Sequence, residues 1–222
     1  MIYITGDMHG DFSRFRDSTT HKIKKGDTLI ICGDFGFIWD GSRSEKQILK
    51  KIGELKYNVA FIDGCHENFK LLEQYPVVEW NGGKAGQISG KLVHLKRGEI
   101  YNIEGKKFFT FGGGHSQDAD IRRDALTWYE QEQPTEKEVE HGVQNLLDND
   151  GRVDYIITHE PPQSLKKCLD LDLLHRLETD TFFEQIITQC SFDKWFFGKC
   201  HMNKIIPQKF YALFDNVIAL PK

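Results

Sequence analysis

Short apolar runs recur along the chain, and each run is followed at once by a cluster of Gly, Asp or His residues. The runs are residues 2–5, 28–32, 58–62, 153–157 and 195–197. Apolar runs of this length, bounded by turn residues, are typical of strands that are buried on both faces of a sheet. In sheets of that kind, ligands bind in the crevice beyond the carboxyl ends of the strands. The pattern therefore predicts a buried sheet with a candidate site along one edge.

Three segments between these runs have the apolar spacing of amphipathic helices. Ser44 with Gln47 and Thr135 with Glu138 each form the pattern of a capping box, and apolar residues follow both pairs at helical spacing. A third apolar stripe begins at Phe183. We interpret all three stripes as faces that pack on the protein core, which is the usual role of such helices in globular domains.

The remaining segments predict further strands and one flexible loop. Residues 92–95, 100–103 and 107–111 have the composition of antiparallel strands, and residues 205–220 predict several short strands. Residues 81–86 are rich in Gly and predict a flexible loop. Strands and helices mixed in this way indicate an α/β sandwich.

Composition and charge narrow the class of protein. A chain of this length is most simply one domain, residues 1–222. The formal net charge of -4 argues against a broad basic surface that binds nucleic acid. No apolar run reaches the roughly 18 residues of a transmembrane helix, and the strand-like start at Ile2 differs from a signal peptide. The five cysteines are odd in number and lack a C-x-x-C pair, which disfavours a disulfide framework and a zinc finger. We expect a soluble, cytoplasmic protein without a membrane partner.

Asp and His residues stand where the five apolar runs end. They are Asp7, His9, Asp34, His66, His159 and His201. Carboxylate oxygens combined with imidazole nitrogens suit Mn, Fe or Zn better than Ca. A carboxylate can also bridge two cations, and two-metal sites serve the in-line displacement of phosphate esters. Each residue alone is more often a turn residue or a core histidine, but their order after successive strands favours a metal site.

These residues lie in five ordered blocks that resemble those of the calcineurin-like metallophosphoesterase superfamily. The blocks are Gly6-Asp7-Met8-His9-Gly10, Gly33-Asp34, Gly64-Cys65-His66-Glu67, His159 and Gly198-Lys199-Cys200-His201, and the resemblance spans residues 2–201. It implies a four-layer α/β/β/α sandwich of mixed sheets, with the metal site at the carboxyl ends of the strands. It also implies hydrolysis of a phosphate mono- or diester by metal-activated water. The implied cofactor is one or two divalent ions, Mn first, with Fe or Zn as alternatives.

The resemblance also implies a role for each block. By position, the first metal would be held by Asp7, His9, Asp34 and His201. The second metal would share Asp34 and use His159. His66 matches the histidine that the family uses near the leaving group, as an acid or a phosphate contact, and Glu67 could orient it.

Two positions depart from the family pattern, because Cys65 stands where Asn is expected and Lys199 where His is expected. A protonated lysine has no lone pair, so it would be repelled by a neighbouring cation or lose its proton. The Lys199 ammonium could instead occupy the second metal position and give part of its charge to a bound phosphate. Cys65 could bind a softer metal, Zn or Fe, as a thiolate, or be an inert buried thiol, which we favour.

A Gly-rich segment, residues 112–118, resembles a loop that some bacterial and phage members place over the active site. Arg122 and Arg123 follow it and could hold a phosphate, and Trp128 could stack on a base. The alternative, about equally favoured, is that the arginines are solvated and Trp128 is a core residue.

Two functions of different classes remain. The first is a metal-dependent phosphoesterase whose substrate is a phosphorylated small molecule, a nucleotide, a nucleic acid or a phosphoprotein. The second is a degenerate member that binds a phosphorylated ligand or protein without turnover, suggested by Cys65 and Lys199. The complete first ligand set and His66 favour the enzyme. No protein partner is indicated.

Overall fold

Two mixed β-sheets form the centre of the protein in a computed structural model, which describes residues 1–169, 171, 178–207 and 209–221. Within these residues the strands, in chain order, are β1 (Ile2–Thr5), β2 (Thr28–Ile31), β3 (Asn58–Ile62), β4 (Val77–Trp80), β5 (Gly83–Ser89), β6 (Leu92–Leu95), β7 (Ile100–Ile103), β8 (Lys106–Phe111), β9 (Tyr155–Thr158), β10 (Lys194–Phe197), β11 (Lys204–Ile206), β12 (Phe210–Ala212) and β13 (Ile218–Ala219). All five apolar runs become strands, with small shifts at their ends.

The order of the strands places the candidate residues at one edge. The first sheet has the order β13-β1-β2-β3-β6-β5-β4, and the second has the order β11-β12-β10-β9-β8-β7. Strands β1, β2, β3 and β6 are parallel, and so are β8, β9, β10 and β12. The loops that carry Asp and His therefore leave each sheet in one direction.

Six α-helices lie in the described part of the chain. They are α1 (Arg43–Gly53), α2 (Phe69–Leu72), α3 (Ala119–Asp124), α4 (Glu136–Asp148), α5 (Gln163–Lys166) and α6 (Glu178–Gln189). None of the helices found there has the length and apolar character that crossing a membrane requires.

Three apolar cores separate four layers. Ile30 and Phe196 belong to the core between the two sheets. Leu29 and Ile31, which neighbour Ile30 in β2, point the other way and pack in the core that contains Leu49 of α1. The outer face of the second sheet packs on α4 and α6 in the third core. This is the α/β/β/α sandwich of mixed sheets that the family resemblance implied. Its doubly buried strands explain their continuous apolar runs.

The helix starts agree with the prediction at α4 and differ at α1. Thr135 and Glu138 form the predicted capping box, with both reciprocal hydrogen bonds present. The first helix is capped by Ser42, whose hydroxyl accepts from the Glu45 N–H, so the predicted cap at Ser44 is wrong. Ser42 has the extended backbone of a cap, whereas Ser44 already lies inside the helix.

The prediction of a flexible loop over residues 81–86 is wrong. Asn81 and Gly82 form only the turn of a hairpin, with φ of 50° and 86°, and Gly83 already begins strand β5. Asn-Gly is favoured in such two-residue turns because both positions need positive φ. A side chain at Gly83 would come within 2.8 Å of the Tyr101 ring, so this glycine serves close packing of the strand.

Candidate metal centre

Loops from both sheets bring four predicted ligands together. Asp7 and His9 follow β1, Asp34 follows β2, and His201 follows β10. One ligand atom from each of these four residues lies within 4.8 Å of the others. The His9 and His201 Nε2 atoms are only 2.9 Å apart, and His201 Nε2 lies 3.3 Å from Asp7 Oδ2. Two imidazoles and two carboxylates aimed at one point form a donor set that fits Mn, Fe or Zn.

The backbone at this centre is held in a conformation that few residues adopt. His9, Asp34, Lys199 and His201 all have positive φ, between 39° and 66°. Left-handed conformations of non-glycine residues are uncommon and concentrate at functional sites. A hydrogen bond also joins the turns after β1 and β2, since the His9 N–H donates to the Asp34 carbonyl at 2.8 Å. The loops after β1 and β2 therefore position their side chains as one unit.

Both central carboxylates are buried, and their neighbours favour the ionised form. Burial alone would favour their neutral forms, but His159 and His201 lower the pKa of Asp7 below its usual range. His159 and His66 likewise outweigh burial and lower the pKa of Asp34. Two buried negative charges this close are costly without cations around them. The arrangement is consistent with a site that binds a divalent cation.

His159 supplies a further observation that fits a cation. Its ring is buried directly after β9, and Nδ1 donates to the Cys32 carbonyl at 3.1 Å. Nε2 has no hydrogen-bond partner among the residues that the structure describes, although it lies 3.6 Å from Asp34 Oδ1. Burial lowers the pKa of His159, but the carboxylates of Asp34 and Asp7 outweigh it and raise the pKa well above its usual value. A metal ion at Nε2 would compete with that proton for the lone pair.

His66 is clamped between two carboxylates. Its Nδ1 lies 2.9 Å from Asp34 Oδ2, and its Nε2 lies 3.0 Å from Asp118 Oδ1. The hydrogen bond to Asp34, followed by that to Cys65, raises the pKa of His66 to about 11. The imidazolium carries a proton on both ring nitrogens, and a proton donor to a leaving group needs one of them.

The predicted orientation of His66 by Glu67 differs from the contacts observed. The buried Glu67 carboxyl accepts from the backbone N–H groups of Phe35, at 2.6 Å, and Gly36, at 3.4 Å. It therefore supports the turn after Asp34, while Asp118 contacts His66. The chain bends at residues 65–67, and the two neighbouring side chains contact different groups there.

Lys199 inserts its ammonium between the loops. Nζ donates to Cys65 Sγ at 3.0 Å and to the His115 carbonyl, and it lies 3.4 Å from Glu160 Oε1. Only 13 % of the side chain is exposed. Burial opposes the charge, but Cys65 and Glu160 raise the pKa of Lys199 above its usual value. Cys65, with Asp34 and His66, forms a second group whose ligand atoms lie within 4.8 Å of one another.

The two arginines lie in different surroundings. Arg122 is buried, and its guanidinium donates to the Cys65 carbonyl, to Glu132 and to the Thr127 carbonyl. These contacts support the loop that carries His66, so they give Arg122 a structural role beside its predicted contact with phosphate. Arg123 lies 4.2 Å from the centroid of the Trp128 ring and near Asp120. Phosphate binding by either arginine stays a prediction.

A cleft of about 370 Å³ opens over the centre. Its lining includes Asp34, His66 and His201, together with Asp118 and Gln117 from the Gly-rich loop. The sequence pattern predicted this loop over the site but no role for Asp118 or Glu160. Glu160 directly follows His159 in the sequence, which was the available signal.

Gly64 has no side chain, and the Asp34 carboxylate fills the space where its Cβ would be. A Cβ at this position would overlap Asp34 Oδ1 and its backbone nitrogen. We expect Gly64→Ala to displace the carboxylate and weaken Mn²⁺ binding by about 10- to 100-fold, the range for changes behind metal ligands. Isothermal titration calorimetry measures the affinity. Gly86→Ala is the control, since its Cβ would meet only ordinary contacts from 3.5 Å. Unchanged affinity in Gly64→Ala would contradict this account.

Comparison with protein families agrees with this geometry. The model of the calcineurin-like phosphoesterase family matches residues 1–198. The chain therefore belongs to the calcineurin-like phosphoesterase family. Comparison with curated proteins finds no match.

Proposed function

We propose that the protein is a metal-dependent phosphoesterase that hydrolyses a phosphate mono- or diester. The observation that carries this proposal is the convergence of Asp7, His9, Asp34 and His201 within 4.8 Å. A divalent cation held there would supply charge for the phosphate oxygens and activate water as the nucleophile. The nitrogen and oxygen donors favour Mn²⁺, with Fe and Zn as alternatives.

The chain's own residues divide the remaining work. His66 lies beside the centre, and its imidazolium can transfer a proton to the departing oxygen. Lys199 brings a positive charge to the same cleft, where it can attract a phosphate oxygen. Arg123 with Trp128 lies on the segment that follows the cleft-lining loop, and we propose it as a further contact for a nucleotide or nucleic-acid substrate.

A second candidate is a family member that binds a phosphorylated ligand without turnover. It is favoured by Lys199 and Cys65, which stand where the family has metal ligands, and by the two carboxylates that hold both nitrogens of His66. In this function the cleft would bind a phosphorylated molecule or protein segment without activating water. The two functions differ in turnover.

The deciding experiment measures hydrolysis of a panel of aryl phosphate monoesters and diesters by protein loaded with Mn²⁺. Asp34→Asn serves as the blank, because it removes a charge from the centre. We expect turnover by the wild type that is absent from the blank, with one ester class preferred. A folded, Mn²⁺-loaded wild type that leaves every ester intact would overturn the proposal and favour the binding function.

Removing the proton donor should slow hydrolysis most for esters with poor leaving groups. We expect His66→Asn to slow hydrolysis of phenyl esters by about 10²–10⁴-fold, the range for general acid catalysis. Nitrophenyl esters should lose less, because their phenolate leaves without a proton. The measurement is kcat/KM across leaving groups of increasing basicity, with His21→Asn, an exposed histidine near the start of the chain, as the control. An equal loss for all leaving groups would contradict the assigned role.

A further inference from the structure

We propose that the Lys199 ammonium is the resident second cation of the site, so the protein binds one divalent ion where a two-metal site binds two. The inference rests on the metal-binding part of the proposed function and goes beyond it by setting the number of ions. It also assigns Lys199 as a group that contacts the phosphate in the cleft.

The first support is position. Lys199 Nζ lies 3.0 Å from Cys65 Sγ, an atom of the second group of candidate ligands. The same sulfur lies 3.2 Å from His66 Nδ1 and 3.9 Å from Asp34 Oδ2, the other two residues of that group. The ammonium therefore already occupies the coordination space of one of its three ligands.

The second support is the anchoring of the lysine. Its backbone N–H donates to both Asp7 oxygens, at 3.0 Å and 3.2 Å. Gly198 precedes it, and a side chain at that glycine would overlap Asp7 Oδ1. Lys199 itself has a φ of 66°. The backbone thus fixes the start of the side chain beside the first metal group, and the ammonium reaches Cys65 Sγ at 3.0 Å.

The third support is charge and coordination chemistry. A protonated lysine carries three donors and no lone pair, so it cannot be a metal ligand in this state. Two of its donors are used by Cys65 Sγ and the His115 carbonyl, and Nζ lies 3.4 Å from Glu160 Oε1. A divalent ion in contact with this group would meet a like charge at short range in a buried site. A phosphate oxygen would instead meet a compatible donor.

The competing arrangement uses the unpartnered Nε2 of His159. A second ion could combine this nitrogen with Asp34 and with a Cys65 thiolate, provided that Lys199 moves away. This arrangement predicts two bound ions, whereas our proposal predicts one. Counting the bound ions therefore distinguishes the two arrangements.

The experiment counts Mn²⁺ in the wild-type protein after saturation and removal of free metal, by elemental analysis. Electron paramagnetic resonance on the same sample distinguishes an isolated ion from an exchange-coupled pair. We expect about one equivalent and an uncoupled signal, and Cys65→Asn with Lys199→His should raise the count toward two. Lys204→Met, at an exposed lysine of β11, is the control that should leave the count unchanged.

Two equivalents in the wild type, or a coupled signal, would overturn the inference without touching the proposed function. One equivalent with no hydrolysis of the ester panel would support the inference and overturn the proposed function. A wild type that binds no Mn²⁺ while folded would overturn both. Because the wild-type count decides the question, the result does not depend on the double variant folding.

Discussion

Replacing Asp34 with asparagine is expected to abolish Mn²⁺ binding and phosphoester hydrolysis together. Asp34 belongs to both groups of candidate ligands, and its buried carboxylate is kept ionised by His159 and His66. An amide presents one neutral oxygen in place of two charged ones. We expect kcat/KM to fall by about 10³-fold or more, because preorganised charge in a buried site has effects of this size.

The same substitution should leave the fold intact, which makes the result interpretable. Asp34 has a φ of 39°, a conformation that asparagine tolerates better than most residues. The amide oxygen can also keep the hydrogen bond from the His66 N–H, which is 2.8 Å long. Circular dichroism and thermal unfolding of the metal-free protein check this point.

Asp40→Asn is the matched control for Asp34→Asn, since it changes an exposed carboxylate on the same segment after β2. It should keep wild-type affinity and turnover. Asp34→Asn that binds Mn²⁺ as tightly as the wild type would show that the metal centre lies elsewhere.

Replacing Arg97 with methionine is expected to destabilise the protein by about 3–5 kcal/mol, the cost of leaving a buried charge without its partner. Arg97 is buried and donates from Nε and Nη2 to Asp63 Oδ2, at 2.9 Å and 2.6 Å. Its Nη1 also lies 3.1 Å from Glu138 Oε2. Methionine fills the space of the side chain but leaves the Asp63 carboxylate, among the described residues, with the His94 ring at 2.9 Å in place of a guanidinium.

Equilibrium unfolding in urea measures this loss. Arg123→Met is the control, because Arg123 is exposed and surface pairs such as that with Asp120 contribute little, about 0–1 kcal/mol. Equal free energies of unfolding for Arg97→Met and the wild type would contradict the assigned role of the buried pair. The region matters for function because Asp63 precedes the loop that carries His66.

The pH dependence of stability should change in the same variant. Burial opposes ionisation of Asp63, but Arg97 and His94 outweigh it and hold its pKa well below the usual range. The stabilisation is therefore present above the unfolded-state pKa of about 3.9 and is lost as the pH falls below that value. Without Arg97 the native pKa rises, so the decline in unfolding free energy toward acid pH should be shallower. Urea unfolding from neutral pH down to about pH 3 measures the slope.

Local patterns in the sequence determined much of the architecture. Strands buried on both faces have continuous apolar runs, so the strands could be predicted from those runs. The Gly, Asp and His residues of the candidate site directly follow the runs, so their order along the chain could also be predicted. The α4 capping box was equally local. The error at Ser44 arose because two nearby serines fit one cap, and only the backbone conformation separates them. The error at residues 81–86 arose because glycines occur both in the two-residue turn and in the strand that follows it.

The sequence by itself thus determined the sandwich, the edge that holds the site and the candidate ligands Asp7, His9, Asp34 and His201. Only the tertiary structure decided which loops contact each other. Lys199 contacts Cys65, and His66 contacts Asp118. These pairs join residues 134 and 52 positions apart in the chain. No local pattern encodes such distances, because they follow from the packing of two sheets and from the left-handed turns that end their strands.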